Sequence, residues 1–357
     1  MPVLPRLEAR ARAAQAAFFR QQARALLARL RAPRPARPKH RLALALQGGG
    51  AHGAFTWGVL DRLLEEPGFR PEAISGTSAG AMNAVALAAG WLDGGAAGAR
   101  ARLDALWHAV AGLSPRAPAG RGVLSRFTLD LTAHVLSPYQ LNPLGLNPLQ
   151  DVLTRLIDFE RLRLPDAPRL LIAATDVESG EARLFDNAEL TPACILASTC
   201  LPQAFHAVRV GGRAYWDGGY ASNPPLVPLI ERVRPKEVVL VQINPLQNRG
   251  LPTAAADIRN RSAEIMFGRP LATELQILDE RRRGLLARLD PARRPFAGVR
   301  LRVIDGAPAL AGLDPVTRIL PDLETLLHLK ALGRAALCRE QPVEAQAAAT
   351  REQERAA

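Results

Sequence analysis

A serine between two glycines is the most reactive pattern in this sequence. Gly76 and Gly80 flank Ser78, with Thr77 and Ala79 between them, and the motif separates a short predicted strand from an alanine-rich predicted helix. Small flanking residues allow a sharp strand-to-helix turn that holds a hydroxyl out of the sheet edge. The helix start also places partial positive charge beside a developing alkoxide. The alternative is a turn in which Thr77 or Ser78 merely caps the helix.

A glycine-rich loop follows the first predicted strand. Its residues are Gly48, Gly49, Gly50, Ala51, His52 and Gly53. Consecutive glycines leave backbone N–H groups free to converge on an anion, which in an acyl hydrolase is the tetrahedral oxyanion. The same letters fit the G-x-G-x-x-G fingerprint of dinucleotide-binding proteins. That alternative requires an acidic residue at the end of a second strand, whereas Glu72 precedes the strand.

A carboxylate that could take the serine proton stands at Asp217, directly ahead of Gly218 and Gly219. Alone, an Asp before two glycines is typical of a turn. The chain has six histidines, of which only His52 and His206 lie near a suggestive motif. None follows a late predicted strand, where an α/β-hydrolase triad places its histidine. A Ser–His–Asp esterase is therefore kept as an alternative.

The three motifs, in this order, resemble those of the patatin-like phospholipases. The resemblance runs from about residue 42 to residue 243 and includes the segments 174–180 and 198–203. It implies an α/β protein, with a three-layer α/β/α fold and a mostly parallel central sheet. It also implies a lipid acyl hydrolase that uses a Ser–Asp pair without histidine, and that needs neither a cofactor nor a metal.

The resemblance assigns Ser78 as the nucleophile and Asp217 as the base, with N–H groups of the glycine-rich loop as the oxyanion hole. The family often has Arg or Lys where this chain has His52. A permanent cation would help to hold an anion, whereas histidine is often neutral at pH 7. A lipid acyltransferase with the same site is an alternative outcome, because acceptor choice depends on water access to the acyl-enzyme.

Two expectations concern the surroundings of Asp217. A free Asp has a pKa of about 3.9, and burial would raise that pKa. We expect activity to persist at mildly acidic pH, where a histidine base would fail; loss below about pH 6.5 would indicate histidine. Asn223, before two prolines, is expected to begin a turn rather than to hold the Asp217 loop.

Hydrophobic patterning predicts strands alternating with helices, which is typical of a layered α/β fold. The predicted strands are 42–46, 73–75, 170–174, 182–185, a hairpin at 208–215, 238–243 and 299–304. The predicted helices are 54–66, 81–89 ending at Gly90, 101–110 and 255–288.

The predicted organisation has four parts. They are a basic Ala/Arg-rich helical arm with a proline-rich linker (1–41), a catalytic domain (42–245), a helical and strand extension packing on it (246–340) and a polar tail (341–357). Within the catalytic domain, residues 113–150 are rich in Pro and Asn. A long segment of this kind predicts a surface excursion that serves as a lid or a wall of the substrate channel.

Composition limits the partners and the compartment. The 357 residues are 48% hydrophobic and carry a net charge of +12, almost all of it from arginine. We attribute the total charge mainly to composition bias, and expect a lipid or phospholipid substrate. The basic arm is either a solvated helix or a helix lying on anionic membrane. A non-enzymatic nucleotide- or nucleic-acid-binding protein, suggested by the charge and the G-x-G-x-x-G letters, is a less favoured alternative. No nucleic acid is expected, because the chain lacks a Walker lysine and aromatic stacking motifs.

Cysteine usage and the apolar stretches favour a cytoplasmic protein, at most peripheral to a membrane. The three cysteines form no CxxC pair, so neither a disulfide framework nor a zinc site is predicted. The first 31 residues hold no uninterrupted apolar segment of the kind found in signal peptides. The most apolar stretch, 81–92, is too short to span a bilayer.

Overall fold

The computed structural model describes residues 42–113, 137–247, 250–283, 290–311, 313 and 322–338. The predicted arm (1–41), the predicted tail (341–357) and residues 114–136 of the predicted excursion lie outside these ranges.

Within the described ranges, eight strands form one mixed sheet in the order β5-β6-β3-β2-β1-β7-β8, with β4 also paired to β3. They are β1 (Leu42–Leu46), β2 (Pro71–Thr77), β3 (Arg169–Asp176), β4 (Ala182–Asp186), β5 (Val208–Val210), β6 (Arg213–Asp217), β7 (Glu237–Gln242) and β8 (Arg300–Asp305). The neighbours β3-β2-β1-β7-β8 are parallel. The pairs of β3 with β4, β3 with β6 and β5 with β6 are antiparallel, and β5 with β6 forms the hairpin predicted at 208–215.

The α-helices of the described chain lie between and after these strands. They are α1 (Gly53–Leu63), α2 (Ala79–Ala111), α3 (Pro138–Leu141), α4 (Leu149–Leu156), α5 (Pro192–Ser198), α6 (Leu226–Val233), α7 (Ala255–Arg282), α8 (Arg294–Ala297), α9 (Ala307–Leu310) and α10 (Leu323–Cys338). No helix among the described residues is both long enough and apolar enough to cross a bilayer.

Helices cover both faces of the sheet, because the central strands are apolar on both sides. Leu44 and Leu46 of β1 pack into one core with α1, α2, α5 and α10, while Ala43 and Ala45 face a second core with α6, α7 and α8. The predicted α/β fold of three layers, with a mostly parallel central sheet, is confirmed.

The predicted end of a helix at Gly90 is wrong, because this glycine packs inside a longer element. α2 continues to Ala111 and is interrupted instead at Gly94 and Gly95, where Gly95 has φ 60°. A β-carbon on Gly90 would overlap the carbonyl oxygen of Gly98. Glycine at position 90 therefore permits the two halves of α2 to fold back on each other, and does not stop the helix.

The sequence patterns did not predict α10, which lies against α1. A β-carbon on Gly58 of α1 would overlap the Lys330 carbonyl, and one on Gly333 would overlap that of Phe55. The two helix backbones therefore touch at their glycines. An ion pair between Arg334 and buried Asp61 adds a second link between these helices.

Candidate active site

The serine motif forms a strained turn between β2 and α2. Ser78 is half-buried and has φ 56° and ψ −124°, a backbone conformation that residues with a β-carbon seldom adopt. A β-carbon on Gly76 would lie 2.6 Å from the Gly80 oxygen, and one on Gly80 would overlap the Leu46 carbonyl. Both glycines are therefore required by close backbone approach, as the sequence predicts for a nucleophile elbow. Thr77 donates its hydroxyl to the Ser222 carbonyl, 2.7 Å away, and does not cap α2.

The glycine-rich loop packs directly against this turn. A β-carbon on Gly48 would lie 2.7 Å from the Ser78 β-carbon, and one on Gly53 would lie 2.5 Å from that of Ala79. The loop continues as a 3₁₀ turn at Gly50–His52 that leads into α1. Because the first N–H groups of a helix have no acceptor within the helix, those of Gly49, Gly50 and Ala51 are suited to bind an anion.

Two N–H groups in the predicted oxyanion set are already engaged. The Gly48 N–H donates to Asn223 Oδ1 at 2.7 Å. The Gly53 N–H turns back to the carbonyls of Gly50 and Ala51. Neither is available to an oxyanion, so these two glycines contribute close packing instead. His52 is buried within the turn.

Asp217 is the last residue of β6, and its side chain lies beside Ser78. Its carboxylate, 1% exposed, interacts with the Ser78 side chain and accepts a hydrogen bond from the Gly219 N–H at 2.7 Å. Burial raises the pKa of Asp217 from 3.8 to about 7, although Ser78 and the Gly219 N–H act to lower it. A base with that pKa is protonated below neutrality, so this environment favours loss of activity at mildly acidic pH over the expected persistence.

Strand register explains how two distant residues meet. On β3, Ala173 pairs with Thr77 of β2, and the next residue, Ala174, pairs with Asp217 of β6. Because β4 occupies the other flank of β3, strands β2 and β6 share one flank and run towards each other. Their carboxyl ends, which carry Ser78 and Asp217, therefore meet.

The glycines after Asp217 are also fixed by close packing. A β-carbon on Gly218 would overlap the Ala173 carbonyl, and one on Gly219 would overlap the ring of Phe267 in α7. The turn at Gly218 and Gly219 is not a free surface turn, because the Gly219 N–H donates to the Asp217 carboxylate. The pair lets the chain turn away from β3 immediately after presenting the carboxylate.

Sequence reasoning missed the role of Asn223. Its Oδ1 accepts from Gly48 N–H, and its Nδ2 donates to the Phe267 carbonyl at 3.0 Å. The expectation that Asn223 merely begins a turn is wrong, since its buried amide joins the glycine-rich loop to α7. The sequence signal that could have indicated this role is the position of Asn223 shortly after Asp217 and its glycines.

Two further buried polar residues hold the serine turn. Ser198 Oγ accepts from the Ser78 N–H at 2.9 Å. Asn83 Nδ2 donates to the carbonyls of Gly53 and Ala79 at 3.0 and 3.1 Å, so it ties the glycine-rich loop to the start of α2. Trp107 Nε1 donates to Asn83 Oδ1 at 3.0 Å and fixes the orientation of that amide. A buried Asn in an alanine-rich helix was a weak sequence signal for this function.

A surface cavity of about 510 Å³ does not include the candidate site. It is lined by Leu92, Arg102, Phe159 and Arg161 among others, and neither Ser78 nor Asp217 is among its lining residues. Within the described ranges, no cluster of three His, Cys, Asp or Glu side chains could hold a metal ion.

Comparisons with known proteins place this geometry in a family. The family model described as patatin-like phospholipase matches residues 44–230, which contain both Ser78 and Asp217. No curated protein matches the chain.

Two solved structures are similar in part. VipD from Legionella pneumophila is 16% identical with a TM-score of 0.44, and the alignment covers 85% of this chain and 66% of VipD. The heterodimeric ExoU–SpcU complex of the type III secretion system of Pseudomonas aeruginosa contains a chain that is 21% identical with a TM-score of 0.30, with 83% and 69% covered. This chain thus spans about two thirds of the length of each.

The family match covers more than half of the 357 residues and all three motifs. The chain belongs to the patatin-like phospholipase family.

Proposed function

We propose that this protein hydrolyses fatty-acyl ester bonds of lipids, with Ser78 as the nucleophile and Asp217 as the base. The observation that carries the proposal is the interaction of Ser78, on a strained turn beside the glycine-rich loop, with the buried Asp217 carboxylate. Family membership supports the coarser conclusion that the chain is a lipid hydrolase.

The first half of the proposed reaction forms an acyl-enzyme. Ser78 Oγ attacks the ester carbonyl while its proton passes to Asp217, and the carbonyl oxygen becomes an oxyanion. The N–H groups of Gly49, Gly50 and Ala51 donate to that oxyanion. The tetrahedral intermediate then collapses: the ester C–O bond breaks, and the alcohol leaves with the proton from Asp217.

The second half releases the fatty acid. Asp217 takes a proton from a water molecule, whose oxygen attacks the acyl carbonyl, and the oxyanion forms again at the same N–H groups. Collapse breaks the Ser78–acyl bond, and Asp217 returns its proton to Ser78 Oγ. Atoms and charge balance over the cycle, with water and ester consumed and alcohol and acid produced.

Burial makes a single carboxylate a plausible base without histidine. An ordinary Asp is too weakly basic to accept a serine proton near neutral pH, but the pKa of Asp217 is raised to about 7 by its removal from water. General bases work best when their pKa lies near the working pH. Ser198, Asn83 and Asn223 act as positioning residues, because they bond the backbone of the serine turn and of the glycine-rich loop.

Fluorophosphonate labelling followed by a lipid ester panel tests the proposal. We expect the wild type to be labelled and to hydrolyse lipid esters, and Ser78→Ala to lose both. Asp217→Asn should fall by at least about 10³-fold in kcat, the scale seen when members of a hydrolytic triad are removed. Ser262→Ala, an exposed serine on α7, is the matched control and should behave as the wild type.

Two results would contradict these roles. Hydrolysis retained in Ser78→Ala would remove the nucleophile, and hydrolysis retained in Asp217→Asn would remove the pair. Product analysis with glycerol or lysolipid present distinguishes hydrolysis from acyl transfer by the same acyl-enzyme.

A further inference from the structure

Residues 138–146, here named the apolar loop, expose four large hydrophobic side chains. These are Leu144 (79% exposed), Leu146 (66%), Tyr139 (56%) and Leu141 (50%). Residues 137–150 contain no Asp, Glu, Lys or Arg, in a chain of which these residues make up 22%. Neighbouring apolar side chains left in water on a folded protein mark a surface that meets a partner or a membrane.

The apolar loop is held in one conformation by its own hydrogen bonds. Asn142 Nδ2 donates to the Leu146 carbonyl at 2.8 Å, and Asn142 Oδ1 accepts from the Leu146 N–H at 3.0 Å. Gly145, with φ 62°, lies against His206, where a β-carbon would come within 3.2 Å of the ring. The leucines are thus presented outward by an ordered turn, which lowers the entropic cost of docking.

A chain of contacts connects the apolar loop to the backbone of Asp217, the base of the proposed mechanism. The ring of Tyr139 stacks on His206 at 4.0 Å between centroids, and its hydroxyl accepts from the Ala207 N–H. Cys200 Sγ donates to the His206 carbonyl at 3.0 Å. The Asp217 N–H donates to the Cys200 carbonyl at 2.7 Å. The apolar loop is therefore joined through His206 and Cys200 to the backbone of the strand that ends at Asp217.

A second exposed apolar segment adjoins the same loop of the site. Phe267 of α7 packs against Gly219 and lies 5.0 Å from the ring of Tyr220. Its chain neighbours Ile265 and Met266 are exposed. Exposed Ile265 and Met266 thus precede a residue, Phe267, that contacts the turn after Asp217.

We propose that the apolar loop is a membrane-docking surface that inserts into a phospholipid bilayer and places the Ser78–Asp217 site on it. The proposal rests on the proposed function, since a lipid ester held in a bilayer must leave it to reach Ser78. The loop suits this occupant: it has no charge to desolvate, its leucines partition into acyl chains, and Tyr139 has the apolar body and polar tip typical of bilayer interfaces.

Vesicle binding in an inactive background tests docking independently of catalysis. In Ser78→Ala protein, Leu141, Leu144 and Leu146 are replaced together by serine. Co-sedimentation is measured with phosphatidylcholine vesicles at about 1 M NaCl, where electrostatic attraction by arginines is screened over about 3 Å. We expect the partition constant to fall at least about tenfold, the scale of one leucine kept out of lipid. The matched control is Leu323→Ser with Leu327→Ser, two exposed leucines of α10, which should stay within about twofold.

The active protein with the same three substitutions supplies the second measurement. Hydrolysis of a short-chain, water-soluble ester should stay at the wild-type rate, which also shows that the variant folds. Hydrolysis of phosphatidylcholine in vesicles should fall at least about tenfold. Equal losses on both substrates would overturn the proposal.

Three other outcomes are equally decisive. Vesicle binding unchanged by the substitutions overturns the proposal, and so does wild-type protein that fails to bind the vesicles, which would leave the apolar loop to a protein partner. Hydrolysis by Ser78→Ala overturns the proposed mechanism instead, while leaving the vesicle-binding result intact. Failure of the docking surface and failure of the nucleophile are therefore separable.

Discussion

Ser78 combines the proposed nucleophile with a backbone conformation that favours glycine. Its φ of 56° with ψ of −124° belongs to a region in which a β-carbon costs about 1–3 kcal/mol. The surrounding packing of Gly48, Gly76 and Gly80 imposes this conformation, since each glycine lies against backbone or β-carbon atoms of the other segments. Strain of this kind is stored where a reactive group must be held away from its relaxed position.

Replacing Ser78 by glycine should therefore stabilise the fold relative to replacing it by alanine. We expect Ser78→Gly to exceed Ser78→Ala by about 1 kcal/mol in free energy of unfolding, because relief of strain outweighs the entropic cost of glycine. Urea unfolding of both inactive variants measures the difference. Ala101→Gly, at an exposed position of α2, is the control and should lose about 0.5–1 kcal/mol. Equal stability of the two Ser78 variants would show that the turn is unstrained.

The buried carboxyl of Asp217 should make stability depend on pH. Its pKa is about 7 in the folded protein against an ordinary 3.8, because burial disfavours the charged form. Between these values the folded state holds a proton that the unfolded state has lost, so stability falls as pH rises through the window from about 4 to 7. Asp217→Asn has no carboxyl group at this position and therefore lacks this pH dependence of stability. The wild type should lose up to about 4 kcal/mol relative to the variant between pH 4 and pH 8.

Urea titrations of wild type and Asp217→Asn at pH 4.5, 6 and 8 measure that difference directly. The gap between the two proteins should widen in favour of the variant as pH rises. Parallel stabilities over this range would mean that Asp217 ionises as an ordinary carboxyl group. The variant's expected inactivity does not affect this measurement.

The same pKa sets the acid side of the activity profile. Hydrolysis should fall about tenfold per pH unit below about 7, because Asp217 must be ionised to accept the serine proton. A histidine base would titrate in the same region, so the profile alone does not distinguish the two. The distinguishing experiment measures the activity of His206→Gln across pH. This variant should still lose activity below about pH 7, whereas Asp217→Asn should be too inactive to give a profile. If His206→Gln no longer loses activity below about pH 7, His206 is the base.

At the scale of elements, the contact between α1 and α10 depends on two glycines. Gly333→Ala would place a β-carbon onto the Phe55 carbonyl of α1, where backbone cannot move aside easily. We expect a loss of at least about 2 kcal/mol in free energy of unfolding, in the range of overpacked cores. Gly298→Ala is the matched control, because nothing lies within 4 Å of its added β-carbon. A tolerated Gly333→Ala would show that α10 is loosely docked.

Sequence patterning predicted the elements whose apolar runs are continuous and the turns that carry motifs. The strands around Leu44, Ile172 and Leu240 are apolar on both faces, so their burial in a parallel sheet was predictable. The helix end at Gly90 was not, because that glycine is chosen by a tertiary contact with Gly98 rather than by local conformation. The sequence around a residue does not show which distant backbone segment will pack against that residue in the folded protein.

The candidate site shows the same division. Ser78 and Asp217 were predictable because each stands in a recognisable turn motif, and the family resemblance placed them together. Asn223, Ser198 and Asn83 were not, because their function is to bond backbone groups of segments far away in sequence. Their chemistry is that of any buried amide or hydroxyl, and only the folded arrangement distinguishes them.

At the scale of the whole molecule, the predicted division at residue 245 separates parts that share one sheet and one core. β8 extends the sheet beyond β7, and α10 covers Phe55, which is fully buried. A chain ending at residue 245 should lose both and expose the apolar surfaces beneath them. We expect loss of near-UV circular dichroism and of a cooperative urea transition.

A chain ending at residue 338 is the control for this truncation. It keeps every described element, and we expect its stability to stay within about 0.5 kcal/mol of the full chain. A cooperative transition in the chain ending at residue 245 would show that residues 42–245 fold alone and that the extension is an added layer.

Because β2 and β6 pair end to end with the same strand, β3, the pairing register on β3 sets the distance between Ser78 and Asp217. The chain between the two residues includes α2 to α5 and β3 to β6, yet its length does not set their spacing, which follows from the pairing of β2 and β6 with β3. The turn at Gly211–Gly212, where both glycines have positive φ and no atom crowds them, should accept inserted peptides without altering the reacting pair. We therefore expect that the hairpin of β5 and β6 can be lengthened or exchanged, together with any binding surface that it presents, without moving Ser78 and Asp217.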